Sequence, residues 1–343
     1  MERSDTLDGM RGLAVLIVFL SHTSSRDMAL APWLQFHGIG HVGVYLFFVL
    51  SGFLLTRNLL NGQRPGTYLV RRFFRIAPLY FIVLAGVLAW QAAGNYSPRY
   101  LHISGGAEGA LLHSLFLKGD SVFWTITAEF GFYLLLPIIV AGMVRFGRVW
   151  VAVAAVAYFA WFYAIQAFGA SLPPLKFVDI AHRGQFLDVF ACGILAATVT
   201  QRLPEKVTAA AFWGLLALTL AAVSYNFLGL GRPWYDLRYL SLLYGAVFAA
   251  GIVGVVQGNM LIVAPMKWSW LRFMGITGFG WYLLHFPVFQ AVNATMEGQP
   301  AQIRLVVSTA LVALAAWAAF RLIEKPANEF GRALTMPSVR AAH

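Results

Sequence analysis

Leu7-Asp8-Gly9-Met10-Arg11-Gly12-Leu13-Ala14-Val15-Leu16-Ile17-Val18-Phe19-Leu20-Ser21-His22 is the stretch on which the reading of this chain turns. It sets an arginine at one end of an apolar run and a histidine at the other. On an α-helix the eleven-residue step from one to the other advances the chain about 16 Å in about three turns, so both side chains lie on one face. With Arg11 at the cytoplasmic edge of a membrane helix, His22 falls near the middle of a hydrocarbon layer about 30 Å thick. An ionisable ring at that depth is costly unless it faces protein or water, which makes it a functional-site candidate. The alternative is a buried histidine that only hydrogen-bonds a neighbouring helix. Ser21, Thr23, Ser24, Ser25, Arg26 and Asp27 are too polar for lipid, so the outer half of this helix is expected to line a wet cavity.

The rest of the chain agrees with a bilayer as its main solvent. Of 343 residues, 59% are hydrophobic and 11% charged, and a soluble domain carries roughly twice that charged fraction. The mean hydropathy is +0.70. No small-residue cleavage site follows the first apolar run, so it reads as a retained span rather than a signal peptide. The net charge of +11 is not gathered into a patch or stripe, which argues against a nucleic-acid partner. The basic residues punctuate the apolar runs instead, as topology determinants do. Cys192 is alone in an apolar run, which excludes a disulfide framework and a thiolate metal cluster; no metal site is expected.

Hydropathy predicts an all-α polytopic membrane protein with about ten transmembrane helices around an internal cavity. The spans fall near 8–25, 42–60, 76–93, 122–141, 149–168, 184–200, 207–227, 239–257, 273–292 and 303–323. With the N-terminus inside, fourteen Lys and Arg residues fall in inner segments and eight in outer ones, an asymmetry that places both termini in the cytoplasm. Residues 1–330 form the membrane domain and 331–343 a short cytoplasmic tail.

Several stretches carry candidate chemistry. Arg71, Arg72 and Arg75, interleaved with Phe73 and Phe74, present adjoining guanidiniums on one helix. Their forks suit phosphate oxygens, and an anionic-lipid patch is the alternative. Ser51-Gly52 in the second span reads as a close-packing step. Ser104-Gly105-Gly106-Ala107-Glu108-Gly109 reads as a connector, without the strand context of a phosphate loop. Glu129, one turn before Tyr133, sits just inside an apolar span and needs a partner or a wet cavity. Asp188 reads as half of an ion pair with Arg183, and the Trp and Tyr residues around 234–244 as an interfacial belt. His285 is a second intramembrane histidine, two residues before Pro287, and Glu324 is placed to meet the inner arginines.

Taken together, LDGMRGLAVLIVFLSH (7–22), GVYLFFVLSGFLL (43–55), RRFFRIAPLY (71–80), WTITAEFGFYLLLP (124–137), WYLLHFPV (281–288) and LIEKP (322–326) resemble the membrane-bound acyltransferase 3 family, in order and spacing over nearly the whole chain. The resemblance implies a multi-pass enzyme of the bacterial inner membrane. It would move an acyl group, with acetyl the expected one, from cytoplasmic acyl-coenzyme A to a hydroxyl of a glycan, lipid-linked sugar or small molecule. Arg11 and His22 match the family's arginine–ten–histidine pair, Arg72 and Arg75 its paired inner arginines, and Glu129 the glutamate of its tryptophan-led motif. In that motif Thr125 stands where the family often has Ser, and Phe130 where it often has a second Glu. No hydrolase-like domain is expected after the last span.

The mechanism this implies holds the donor phosphates on Arg71, Arg72, Arg75 and Arg11, with the pantetheine arm threaded toward His22. His22 is general base, and Glu129 holds the acceptor or orients the imidazole. Direct transfer and an acyl-histidine intermediate both remain open. Trp124, Tyr133 and His285 are the expected substrate-binding residues. The rival reading is a transporter or flippase of a lipid-linked sugar. That reading predicts a two-fold internal repeat, which the hydropathy does not contain.

Overall fold

The computed structural model describes residues 5–29, 31, 36–95, 101–147, 149–150, 153–154, 156–157, 160, 186–200, 202–225 and 241–336. Its regular elements are all helical. In chain order they are α1 (Asp5–Ser24), α2 (Gly40–Leu60), α3 (Pro65–Ala92), the short α4 (Gly106–Ser114) and α5 (Phe123–Phe146). After these come α6 (Leu187–Val199), α7 (Glu205–Ser224), α8 (Ser241–Gln257), α9 (Met260–Met266), α10 (Ser269–Ile276) and α11 (Gly278–Thr295). The last rod is α12 (Ala301–Ala319), a π-helical turn (Phe320–Glu324) and α13 (Lys325–Ala333).

Among the described residues, five helices are long and apolar enough to cross a bilayer: α2, α3, α5, α7 and the continuous rod Ala301–Ala333. The expectation of ten is met to that extent, for identifiable reasons. α1 is 20 residues long but carries Asp5, Asp8 and His22 in its end turns. α6 and α8 have 13 and 17 residues, lengths of about 20 and 26 Å that fall short of a hydrocarbon layer. The expected span 273–292 is divided at Thr277 into α10 and α11. The expected span 149–168 and the interfacial aromatics before 241 lie largely outside the described residues.

Glycine at helix crossings sets how closely the bundle packs. A Cβ on Gly12 would stand 1.8 Å from the Leu271 carbonyl oxygen, and one on Gly275 1.7 Å from that of Asp8. α1 and α10 therefore touch backbone to backbone. The Ser51-Gly52 step behaves likewise: a Cβ on Gly52 would lie 2.4 Å from the Phe190 carbonyl oxygen of α6. Lipid tails are as apolar as these side chains, so such contact, rather than exclusion from water, supplies much of the association. Phe190 of α6 adds to it, stacked on Phe48 of α2 at 4.3 Å and on Phe132 of α5 at 3.9 Å between ring centroids.

The π-turn has a local cause. Pro326 lacks an N–H, and its ring would strike the carbonyl four residues earlier in a regular helix. Widening the preceding turn relieves that clash, and π-turns of this kind recur at functional sites. The helix thereby runs on through Arg332 to Ala333, beyond the expected end of the span. The Gly-rich connector is also more ordered than expected: it starts α4, with Gly105 and Gly106 at positive φ of 87° and 56°.

Candidate active site

Two cavities lie along the face of α1, one at each end of the Arg11–His22 run; the one at Arg11 is termed inner and the one at His22 outer, after the expected topology. The inner cavity, about 530 Å³, is lined by Arg11, by Arg72 and Arg75 of α3, by Glu129 and Tyr133 of α5, and by Arg332 of α13. The outer cavity, about 500 Å³, takes in His22, Arg26, His41, His102, Asp120 and Trp124. Val44 and Tyr282 line both, so the two cavities meet at these residues. The Tyr282 hydroxyl is held there, accepting from Thr125 Oγ1 at 2.9 Å and donating to the Val122 carbonyl at 3.0 Å.

Charge in the inner cavity is only partly compensated. Arg11 Nη1 donates to Asp8 Oδ1 at 2.6 Å, and Arg75 Nη1 to Glu324 Oε2 at 2.6 Å. The π-turn aims Glu324 inward, so the expected meeting of Glu324 with the inner arginines is found. Arg72 and Arg332 form no ion pair with a carboxylate among the described residues, which leaves two guanidiniums for an anionic ligand. Arg71 does not line this cavity, and its Nε donates to Thr335 Oγ1 at 2.9 Å. Glu129 Oε1 accepts from Tyr133 Oη at 2.5 Å and from Ser51 Oγ at 2.9 Å. Ser51 therefore both packs and hydrogen-bonds.

In the outer cavity His22 is half-buried, and its Nδ1 lies 2.7 Å from His285 Nε2. His285 lies behind His22, 1% exposed, and lines neither cavity. The three expected substrate-binding residues are thus dispersed, with Trp124 outer, Tyr133 inner and His285 behind the wall. Glu129, expected as a possible orienter of the imidazole, belongs to the inner cavity, and His285 holds the ring instead. Asp188 accepts from Ser241 Oγ at 2.8 Å, while its expected partner Arg183 lies outside the described residues.

The roof of the outer cavity is the loop around α4. Asp120 Oδ2 accepts from Ser104 N at 2.7 Å and Ser104 Oγ at 2.8 Å, and Lys118 Nζ donates to Ser104 Oγ at 2.6 Å. His113, fully buried, donates from Nδ1 to the Gly109 carbonyl at 2.8 Å and accepts the Asp120 N–H at Nε2 at 2.9 Å. Burial holds its imidazole below the usual range, opposed by the Gly109 bond and by nearby Asp120. Gln91 of α3 ties the loop down by exchanging hydrogen bonds with Ile103 at 2.9 and 3.1 Å.

Sequence reasoning missed Arg332 and its α13 neighbours Lys325 and Asn328, all on the inner cavity. A signal was present: positions 325, 328 and 332 recur at helical spacing. It was masked by Pro326, which reads as a helix stop. Tyr282, which lines both cavities, gave no sign beyond belonging to an aromatic motif.

Comparison with known proteins bears on the chain as a whole. A family model described as an acyltransferase domain matches residues 5–321. The acyltransferase MdmB of Streptomyces mycarofaciens is 24% identical over 337 residues, covering 87% of this chain and 82% of its own length. Nodulation protein 10 of Rhizobium leguminosarum bv. viciae is 26% identical, covering 85% and 83%. The putative peptidoglycan O-acetyltransferase YrhL of Bacillus subtilis is 24% identical, and the match covers 95% of this chain but 55% of that protein. No solved structure matches the chain.

Proposed function

This chain belongs to the acyltransferase 3 family, and from that premise we propose that it is a multi-pass O-acyltransferase of the bacterial cytoplasmic membrane, with both termini inside, that carries an acyl group from cytoplasmic acyl-coenzyme A to a hydroxyl of a glycan or other acceptor. Acetyl is the group favoured, in keeping with the name of the Bacillus relative. The donor occupies the inner cavity, with its phosphates on Arg72, Arg75, Arg11 and Arg332. The pantetheine arm runs past Glu129, whose carboxylate accepts from the arm's amide N–H groups, to Tyr282. The acceptor enters the outer cavity, where Trp124 offers an aromatic face and His22 a base.

His22 takes the proton of the acceptor hydroxyl as its oxygen attacks the thioester carbonyl. The tetrahedral intermediate collapses, the C–S bond breaks, and the proton passes from His22 to the leaving thiolate. General-base help of this kind is worth about 10²–10⁴-fold. The observation that supports the reading is that a cavity with two guanidiniums outside any ion pair among the described residues adjoins, at Val44 and Tyr282, a cavity with a half-buried imidazole. Donor and acceptor then approach from opposite faces.

The test uses the purified chain in sealed proteoliposomes, with labelled acetyl-coenzyme A on one side and a panel of glycans on the other. Wild type should transfer label across the bilayer, and His22→Ala should fold but transfer less by the factor above. Near-full turnover by His22→Ala would remove the base assignment. Acceptor moved across without label would instead point to a flippase.

A further inference from the structure

The contact behind His22 fixes more than the ring's direction. The two imidazoles are nearly parallel, 11° between planes with centroids 4.9 Å apart. Next along, His285 Nδ1 lies 3.1 Å from the carbonyl oxygen of Trp281, one turn back on α11. A carbonyl oxygen only accepts, so the hydrogen in that contact belongs to His285 Nδ1. In a neutral imidazole the other nitrogen is then bare, and His285 Nε2 is an acceptor. The hydrogen shared between the rings, 2.7 Å apart at these nitrogens, must therefore come from His22 Nδ1. That leaves His22 Nε2 bare. It faces the start of α2, where a Cβ on Gly40 would stand 3.6 Å from it.

We infer that His285, braced by the Trp281 carbonyl, is a positioning residue that holds His22 in its Nδ1–H tautomer and so leaves Nε2 as the proton acceptor. The inference rests on the proposed role of His22 as base. Catalytic histidines are commonly oriented by a carboxylate on the second nitrogen. Among the described residues no carboxylate hydrogen-bonds either ring here. A second imidazole does the orienting, and it can also share charge. When Nε2 takes the acceptor's proton, the Nδ1 hydrogen lies on a short bond to a neutral acceptor, so the cation is spread over two rings. As the C–S bond breaks, that proton leaves from Nε2 to the thiolate sulfur, and both rings return to the neutral resting state.

Nitrogen-15 spectra of histidine-labelled protein in nanodiscs read the tautomer directly. The His22 signal is assigned by its loss in His22→Asn, and the expected pattern is a protonated Nδ1 and a bare Nε2. The reverse pattern overturns the inference whatever the variants do. His285→Phe keeps the ring's bulk and removes the acceptor. It should lower kcat by about 10- to 100-fold, with the KM for acetyl-coenzyme A within about twofold. His285→Gln, whose carboxamide oxygen can accept from His22 Nδ1, should restore most of the rate and the wild-type His22 spectrum. An active wild type with an equally active His285→Phe also overturns it. If His285→Phe does not fold, the wild-type spectrum decides alone. If wild type transfers no acetyl group, the proposed function fails while the tautomer is still read.

Discussion

Arg71, Arg72 and Arg332 make a graded test of the inner cavity, because the structure gives each a different surrounding. Arg72 is half-buried on the cavity wall and has no carboxylate partner among the described residues. Removing its fork by Arg72→Gln forfeits charge-assisted hydrogen bonds to a phosphate, worth about 1.5–3 kcal/mol. That is roughly a 10- to 150-fold weaker Kd for acetyl-coenzyme A. Arg332 is exposed at the rim of the same cavity, so water and salt screen its contribution to about 1 kcal/mol or less, at most roughly fivefold. Arg71 is engaged with Thr335 away from the cavity, and Arg71→Gln should leave Kd within about twofold. Titration calorimetry on the three purified variants measures the series. Repeating it with acetyl-pantetheine, which lacks the nucleotide phosphates, should collapse the differences. Equal binding by Arg72→Gln and wild type, or equal damage from Arg71→Gln and Arg72→Gln, would refute the phosphate assignment.

Other consequences can be checked separately. Gly12→Ala forces α1 off the Leu271 carbonyl and should cost more than the ~1–3 kcal/mol of ordinary overpacking, read as a lower Tm in detergent; Gly66→Ala, with nothing within 4 Å of its Cβ, should not. Glu324→Gln leaves Arg75 without its counter-charge. Breaking a buried pair costs about 3–5 kcal/mol, and the 28% exposure of the Arg75 side chain places the loss below that range. A double-mutant cycle with Arg75→Met should show the two changes to be strongly non-additive. The lowered pKa of His113 means that below pH about 6.5 the unfolded chain takes up a proton before the folded one does. Stability is therefore whole above that pH and falls as the pH drops toward the folded pKa, a slope in Tm that His113→Gln should flatten.

The residues show which parts of this arrangement are legible in a sequence. The Arg11–His22 register follows from helical spacing alone, and the structure puts the two at the two cavities as that spacing requires. The pairing of Glu324 with the inner arginines was also readable, because a buried carboxylate needs a cation. What was hidden depends on contacts between segments distant in the chain. Whether His285 touches substrate or braces another ring is decided by the crossing of α1 with α11, to which periodicity is blind. Arg71 and Arg72 are adjacent in sequence, and only the rotation of α3 against α13 sends one to Thr335 and the other to the cavity. Arg332 was obscured by Pro326, since a widened turn that absorbs a proline has no signature in hydropathy.

The glycine seam between α1 and α10 has one more implication. Main chain pressed on main chain opposes sliding of α1 along α10, so Arg11 and His22 stand like two marks on one gauge. On the proposed roles of these two residues, a carrier whose arm is too short could rest its phosphates on the first mark or bring its carbonyl to the second, but never both together. Under the proposed function, selection among thioesters would be by measured length, made before any bond is broken.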